Sequence, residues 1–349
     1  MKYKLLGRSG LRVSELCLGT MTFGEERGTM GNTKKECRKI FDAFADAGGN
    51  YIDTANVYMY GTSEKWVGEF VRSQRDKFVV ASKYTLTMDP DDPNAHGSHR
   101  KNLTRSLEES LRRLKTDYID VLLVHAWDSM TPLEETMRAL DDFVKAGKVL
   151  YLGISNTPAW VVAQANTLAH LRGLTPFVAL QLNYSLIDRS IEREFLPMAA
   201  SMDLAITAYF VLAAGILTGK YNEEAEGPTR LGPNSPVGIF EIEKEKLEVA
   251  AKVIKIAKEI HRTPSQVALN WVRQRRKKPV MIPILGARTE AQIKDNLECL
   301  DFDLEQGHLD HLNELAKPQL GYPYQVLQSE MYRKLIYGNT FDLIENHRA

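Results

Sequence analysis

An alternation of short apolar segments with longer amphipathic ones runs along almost the whole chain and limits the folds that the chain can adopt. Residues 78–82 and 118–124 are two of the short apolar segments. The longer segments carry apolar residues at helical spacing, as at Leu133, Met137 and Leu140. Strands that are apolar along most of their length are typical of parallel sheets covered by helices. The pattern therefore predicts a parallel sheet with helices packed against it.

The alternation contains eight strand-helix units. We predict strands at residues 14–19, 51–53, 78–82, 118–124, 149–154, 177–182, 204–209 and 280–284. Eight parallel strands separated by helices are the pattern of a closed (β/α)8 barrel, the TIM barrel. A small β-hairpin is predicted to precede the barrel, and extra helices to follow it. No change of composition divides the chain, so we predict a single domain over residues 1–349.

Two segments interrupt this regular order. Residues 222–240 are rich in Gly and Pro and follow the seventh predicted strand, so we predict a long loop that serves as a lid. Residues 321–349 form a tail that is aromatic in its first half and polar at its end. We predict that this tail lies near the mouth of the barrel, where it is a second candidate lid.

Composition excludes several classes of partner. Lys plus Arg and Asp plus Glu both number 45, so the formal charge is zero and the chain lacks the basic surface that nucleic acid requires. No apolar tract is long enough to span a membrane, and residues 1–8 lack the apolar core of a signal peptide. We therefore predict a cytoplasmic protein, monomeric or homo-oligomeric, that binds neither nucleic acid nor membrane.

The cysteines and histidines give no sign of a metal. Cys17, Cys37 and Cys299 are widely separated, without ligand spacing, which fits a reducing compartment. His96 and His99 lie in a polar loop with no further ligands near them in the sequence. We predict no metal site.

Four polar side chains stand at or just after the ends of successive predicted strands: Asp53, Tyr58, Lys83 and His125. The carboxyl ends of barrel strands converge on one mouth, so these side chains are expected to meet there. Taken alone, Asp53 and Lys83 could form a salt bridge with a purely structural role. Taken alone, His125 could be a structural histidine at the end of a strand. The combination favours a catalytic site.

The chemistry of these four groups suits reduction of a carbonyl. A phenol with a pKa near 10 is a poor proton donor unless a nearby ammonium favours its ionised form, and an aspartate keeps that ammonium charged. The imidazole of His125 can form a hydrogen bond to a substrate carbonyl. No side chain donates hydride, so a nicotinamide cofactor is implied. Tyr60, two residues after Tyr58, is an alternative candidate for the acid.

The loops after the seventh and eighth strands often bind phosphate in such barrels. Here they comprise residues 212–220 and 286–290, and the second leads into a helix whose N-terminus attracts anions. No G-x-G-x-x-G follows a strand, which argues against a Rossmann domain.

The motifs along the chain resemble those of the aldo-keto reductase family. Asp53-Thr54-Ala55-x-x-Tyr58, Lys83 and His125 match its catalytic tetrad in order. Ser155, Asn156, Gln181, Tyr209, Gly286, Arg288, Gln292 and Asn296 match its cofactor positions. Segments 56–58, 61–66, 125–128 and 157–162 resemble the aryl-alcohol-dehydrogenase-like branch. The resemblance implies that Tyr58 is the acid, that Lys83 and Asp53 tune it, and that His125 orients the carbonyl.

The resemblance also implies NADPH/NADP+ as the cofactor. The full set of predicted cofactor contacts is Gly19, Thr20, Met21, Asp53, Ser155, Asn156, Gln181, Tyr209, Phe210, Val211, Leu212, Gly215, Leu217, Lys220, Gly286, Arg288, Gln292, Asp295 and Asn296. Many family members carry Ser-Pro-Leu where this chain has Phe210-Val211-Leu212, so Phe210 lacks a hydroxyl that can contact pyrophosphate.

The expected activity is reduction of aldehydes and ketones, or oxidation of the matching alcohols, by an NADP(H)-dependent enzyme. Phe23, Tyr60, Trp127 and the tail residue Tyr324 are predicted to form an aromatic wall, which favours aromatic or bulky apolar substrates. The alternative is a cofactor-binding regulatory subunit, since potassium-channel β-subunits resemble the same family. No long N-terminal extension favours that alternative.

Overall fold

Two sheets make up the β-structure of the protein, described here from a computed structural model that covers residues 1–222, 231, 242–275 and 279–345. The strands β1 (Tyr3–Leu5) and β2 (Arg12–Ser14) form an antiparallel hairpin. The barrel strands are β3 (Cys17–Gly19), β4 (Tyr51–Asp53), β5 (Val79–Tyr84), β6 (Ile119–Val124), β7 (Val149–Ser155), β8 (Phe177–Asn183), β9 (Ala205–Tyr209) and β10 (Met281–Leu285). All eight are parallel, and β10 pairs with both β9 and β3, which closes the barrel.

Helices follow the barrel strands and surround them. They are α1 (Lys34–Asp46), α2 (Thr62–Val71), α3 (Arg100–Leu114), α4 (Leu133–Lys145), α5 (Ala159–Arg172), α6 (Phe195–Met202), α7 (Lys244–Glu259), α8 (Pro264–Arg273), α9 (Glu290–Leu297), α10 (Gln306–Leu315), α11 (Tyr324–Leu327) and α12 (Glu330–Tyr337). The predicted (β/α)8 barrel with its hairpin and additional helices is confirmed. The first barrel strand is shorter than predicted, because Ser14 pairs within the hairpin instead.

Local signals in the sequence set the helix boundaries. Thr33 caps α1 by accepting a hydrogen bond from the Glu36 amide, and Thr263 forms a reciprocal capping box with Gln266 at the start of α8. The apolar face of α1 includes Phe44 and is fully buried against the barrel. Burial of such faces is the main source of helix stability in a fold of this kind.

The hairpin closes the amino-terminal end of the barrel. Leu6 and Val13 are fully buried and cluster with Tyr51, Val79 and Val121, which point into the barrel interior. The Arg8 amide donates a 2.7 Å hydrogen bond to a backbone carbonyl just before β9. The opposite, carboxyl-terminal mouth is thus left for a ligand site.

Of the two candidate lids, only the tail is described in any length. The predicted loop at residues 222–240 lies outside the described residues except for 222 and 231. The tail touches the chain just before α6, where Tyr324 Oη lies 2.8 Å from a Glu194 carboxylate oxygen and Arg193 donates to the carbonyl of Tyr322. Across the described ranges, no helix combines the length and apolar character needed to cross a membrane.

Candidate active site

Three neighbouring strands and the turn after one of them bring the four predicted catalytic side chains together. Asp53 is the last residue of β4, Lys83 lies near the end of β5, and His125 directly follows β6. Tyr58 begins a short 3-10 turn (Tyr58–Gly61) between β4 and α2. The Lys83 Nζ atom lies 2.8 Å from Asp53 Oδ2, 2.8 Å from the Thr54 carbonyl and 3.1 Å from the Tyr58 hydroxyl. The ammonium therefore links the carboxylate to the phenol.

The electrostatics of this group are dominated by burial. Lys83 is fully buried; burial alone would lower its pKa, but the Asp53 carboxylate and the Tyr58 oxygen outweigh it and the pKa of Lys83 is raised. Burial also raises the pKa of Tyr58, and the charge of Lys83 only partly opposes this. The net shift at Tyr58 is thus opposite to the one expected from the lysine charge alone. Tyr58 is a protonated phenol at neutral pH.

His125 faces Tyr58 across the site. The two rings meet edge to face with their centroids 6.0 Å apart. Burial lowers the pKa of His125 to about 3, and the Lys83 ammonium acts in the same direction, so the imidazole is neutral. Its Nδ1 atom is buried and has no hydrogen-bond partner within the described ranges. The site thus offers a phenol and a neutral imidazole as hydrogen-bonding groups for one ligand atom.

Asn156 connects His125 to the opposite wall. Its side-chain amide donates a 2.9 Å hydrogen bond to the His125 carbonyl, and its side-chain oxygen accepts a 2.8 Å hydrogen bond from Tyr209. Asn156 follows β7 directly and has a positive φ of 44°, a conformation that asparagine tolerates better than most residues. This bridge joins the ends of β6, β7 and β9 around the mouth.

A cavity of about 1260 Å³ opens above these residues and extends to the start of α9. Most predicted cofactor residues line it: Gly19, Met21, Asp53, Asn156, Gln181, Tyr209, Phe210, Val211, Leu212, Gly215, Lys220, Gly286, Arg288, Gln292, Asp295 and Asn296. Tyr58 and His125 line the same cavity. Its volume exceeds the range of about 300–1,000 Å³ typical for one drug-sized ligand, so it has room for a dinucleotide and a second molecule.

The far end of the cavity has the features of an anion site. Arg288 precedes α9, and its guanidinium makes no hydrogen bond or ion pair with the part of the chain that the structure describes. Its backbone is held, since the Arg288 amide donates a 2.8 Å hydrogen bond to Gln292 and its carbonyl accepts one from Asn32. The carboxylate of the neighbouring Glu290 forms ion pairs with Lys294, whose Nζ lies 2.6 Å away, and with Lys39, whose Nζ lies 3.7 Å away.

Residues 15–317 match the family model described as the aldo/keto reductase family. The chain belongs to the aldo/keto reductase family. It is 39% identical over 328 residues to a norsolorinic acid reductase of Emericella nidulans, which covers 91% of this chain and 82% of the relative. It is 37% identical over 357 residues to the aryl-alcohol dehydrogenase [NADP(+)] of Phanerodontia chrysosporium, with coverages of 97% and 89%. A putative aryl-alcohol dehydrogenase of Saccharomyces cerevisiae is 36% identical over 329 residues, with coverages of 91% and 87%.

These matches confirm the predicted enzyme class. The protein is an oxidoreductase of the aryl-alcohol-dehydrogenase-like branch of the aldo/keto reductases, and a nicotinamide cofactor fits its family and its cavity. Among the described residues, no group of three or more His, Cys, Asp or Glu side chains is arranged to hold a metal ion.

In this aldo/keto reductase, three predicted cofactor residues lie behind the cavity wall instead of on it. Thr20 is fully buried and donates through its hydroxyl to the carbonyl of Asp53. The Ser155 hydroxyl donates to the carbonyl of Gln181, and Leu217 is packed in the core. They support the lining residues and do not face the cavity.

Three residues of the predicted aromatic wall do not line this cavity. Phe23 is fully buried and packs edge to face on Phe70, because the chain turns into the core after β3. Trp127 packs edge to face on Trp160 outside the cavity lining, and Tyr60 projects into solvent beneath the Arg27 guanidinium.

Tyr324 is also absent from the lining, since its hydroxyl is bonded to Glu194 and no described tail residue faces the cavity. Other residues that line the cavity were not predicted from the sequence, among them Arg27, Met30, Met59 and Leu86. They lie in the loops after β3, β4 and β5. Sites in such barrels are built from the loops at the carboxyl ends of the strands, and that position could have identified them.

Proposed function

We propose that this enzyme is an NADP(H)-dependent oxidoreductase that reduces aromatic or bulky apolar aldehydes and ketones, or oxidises the matching alcohols. The observation that carries the proposal is the position of Lys83 Nζ, 2.8 Å from Asp53 and 3.1 Å from the Tyr58 hydroxyl, at the base of a cavity large enough for cofactor and substrate. A buried phenol next to a buried ammonium is suited to donating a proton to a carbonyl oxygen.

A bound nicotinamide cofactor would supply the hydride in such a reaction. Tyr58 would give its proton to the developing alkoxide, while the Lys83 ammonium stabilises the phenolate that remains. Asp53 keeps the ammonium charged and fixes its position through the 2.8 Å contact. The neutral His125 would hold the carbonyl oxygen by a hydrogen bond; Asn156 holds its backbone, and its ring meets the Tyr58 ring edge to face.

The cavity suits the dinucleotide form with a 2′-phosphate. That phosphate is a dianion near neutral pH and prefers a guanidinium and helix N-terminal amides, both of which Arg288 and the start of α9 provide. Glu290, the one acidic residue close to Arg288 in sequence, is paired with lysines. Gln292 and Asn296 line the cavity one turn apart on α9 and would hold the adenosine end.

Apolar and aromatic side chains favour an aromatic substrate. Met30, Met59, Leu86 and Phe210 line the cavity together with Tyr58. The names of the relatives, norsolorinic acid reductase and aryl-alcohol dehydrogenase, point to the same class of substrate.

The test is consumption of NADPH by the purified protein, followed by absorbance, with a panel of aromatic aldehydes, ketones and alcohols. We expect turnover that depends on both cofactor and carbonyl and is lost in Tyr58→Phe. A protein that binds NADPH in equilibrium dialysis and turns over no member of the panel in either direction would contradict the proposal. That result would favour the cofactor-binding regulatory role.

A further inference from the structure

The first turn of α2 lies behind the group formed by Asp53, Tyr58, Lys83 and His125. It contributes Glu64 to a buried ion pair that has no part in the proposed reaction. Glu64 is fully buried, and its Oε2 atom lies 2.6 Å from Nε of Arg113, which reaches across from the end of α3. The other carboxylate oxygen of Glu64 accepts a hydrogen bond from Ser82, the residue before Lys83 on β5. A buried ion pair costs desolvation, so it is weak evidence for stability, and the place of this pair beside the site suggests a further role.

The same turn is fixed to the strand ends that carry the site. The Ser63 hydroxyl donates to the Thr20 carbonyl at 2.8 Å and lies 2.9 Å from the Thr54 hydroxyl. Thr54 in turn presents its carbonyl to Lys83 Nζ at 2.8 Å. Ser63 and Glu64 thus connect the start of α2 to the ends of β3, β4 and β5.

The turn Tyr58–Gly61 has a strained backbone that neighbouring residues must stabilise. Met59 and Tyr60 have positive φ values of 46° and 50°, a conformation that costs free energy in residues other than glycine. At the end of the turn, Gly61 has a φ of 88°, and a side chain there would begin 2.7 Å from Cδ of Arg113. Arg113 therefore packs against the last residue of the turn while its Nε bonds Glu64.

We propose that Glu64 and Arg113 are positioning residues that hold the strained turn so that the Tyr58 hydroxyl stays within hydrogen-bond distance of Lys83. Glu64 contacts Lys83's strand through Ser82, and Arg113 packs on the turn that Tyr58 begins, so the pair fixes the two ends of the Tyr58–Lys83 contact. This inference depends on Tyr58 being the acid, as proposed above.

The test is the double variant Glu64→Gln/Arg113→Met, which removes both charges and leaves no unpaired ion. We expect a folded protein whose kcat for an aromatic aldehyde falls about 10- to 100-fold with KM changed little, because a small misplacement of a reacting group has effects of that size. The alkaline limb of the pH profile should move to higher pH, since a displaced Tyr58 feels less of the Lys83 charge that opposes burial.

The matched control is Asp120→Asn/Arg75→Met. In this pair Asp120 is buried and Arg75 partly buried, with a 2.6 Å contact, and Asp120 accepts the Val80 amide on β5, but at the amino-terminal end of the strand. The control should keep kcat and the pH profile of the parent. Equal losses in both double variants, or an unchanged kcat and pH profile in a folded Glu64→Gln/Arg113→Met protein, would overturn the proposal.

Two further variants keep the test decisive. If the double variant does not fold, Ser82→Ala removes one hydrogen bond of the network without touching a charge and should lower kcat by about 2- to 10-fold, the effect of one hydrogen bond. An unchanged kcat in Ser82→Ala would then overturn the proposal. Tyr58→Phe is assayed in parallel: full activity there would refute the acid itself, whereas lost activity there with normal double variants would refute only the positioning role.

Discussion

The side-chain amide of Gln181 donates a 2.7 Å hydrogen bond to Asp53 Oδ1, although the two residues are 128 positions apart. Lys83 occupies the other oxygen, Oδ2, so both oxygens of the buried carboxylate have a partner. Gln181 also lines the cavity, within the set of residues proposed to hold the cofactor. The carboxylate that anchors the proposed catalytic lysine is therefore in direct contact with the proposed cofactor site.

The acid can be identified by comparing two tyrosines in the same turn. Tyr58→Phe keeps the ring and removes the hydroxyl, so we expect a folded protein whose kcat falls about 10²–10⁴-fold. Tyr60→Phe is the control, because Tyr60 is 62% exposed and lies outside the cavity lining. Normal turnover by Tyr58→Phe together with a collapse in Tyr60→Phe would reverse the assignment.

The pH dependence should follow from two buried groups. Burial lowers the pKa of His125 to about 3 and raises the pKa of Tyr58, so both stay neutral across the usual assay range. We expect kcat for reduction to be flat from about pH 5 to about pH 9 and to fall only when Tyr58 ionises at higher pH. Oxidation of alcohols, which needs the phenolate, should increase with pH instead.

A profile of kcat for reduction with an acid limb near 6.5, the ordinary pKa of histidine, would contradict this account. The check is whether such a limb is present in the parent enzyme and absent in His125→Asn.

Cofactor selectivity should reside in Arg288. A charge-assisted hydrogen bond contributes about 1.5–3 kcal/mol, so Arg288→Ala should weaken NADPH binding about 10- to 100-fold and leave NADH binding nearly unchanged. The measurement is the dissociation constant of each cofactor by fluorescence titration. Arg112→Ala is a matched control that removes one exposed arginine from α3, away from the cavity. If both cofactors weaken alike in Arg288→Ala, the arginine binds a part common to the two.

Substrate preference should depend on the residues that line the cavity. We expect higher kcat/KM for benzaldehyde-type compounds than for short aliphatic aldehydes or open-chain sugars. Leu86→Ala should reduce this preference because Leu86 lines the cavity, whereas Trp127→Ala should not, because Trp127 packs on Trp160 outside it. Equal specificity constants across the panel would rule out an aromatic substrate site.

The fold and the convergence of Asp53, Lys83 and His125 could be predicted because strands are regular. The carboxyl ends of all the barrel strands meet at the mouth, so position along the chain determines at which end of the barrel a residue lies. The caps at Thr33 and Thr263 depend only on nearby residues in the sequence, since capping is a local interaction.

The side chains that line the cavity were harder to predict because most of them stand on loops. The direction of Tyr60 depends on two successive positive φ values, and that of Phe23 on a turn into the core, neither of which a periodic pattern reveals. The pKa of Tyr58 shifts in the direction opposite to the expected one for another reason. The sequence shows that a lysine is near, but not how deeply the phenol is buried, and burial has the larger effect.

Leu6 and Val13 of the hairpin close the amino-terminal end of the barrel, so the barrel is open at its carboxyl-terminal end and not at both ends. Whatever approaches the fully buried ammonium of Lys83 enters from the rim. Cofactor and substrate would therefore enter through one opening, and the ligand that lies deeper would have to bind first and dissociate last. A dinucleotide bound across that opening would also cover Tyr58 and His125, which line the cavity next to the lysine.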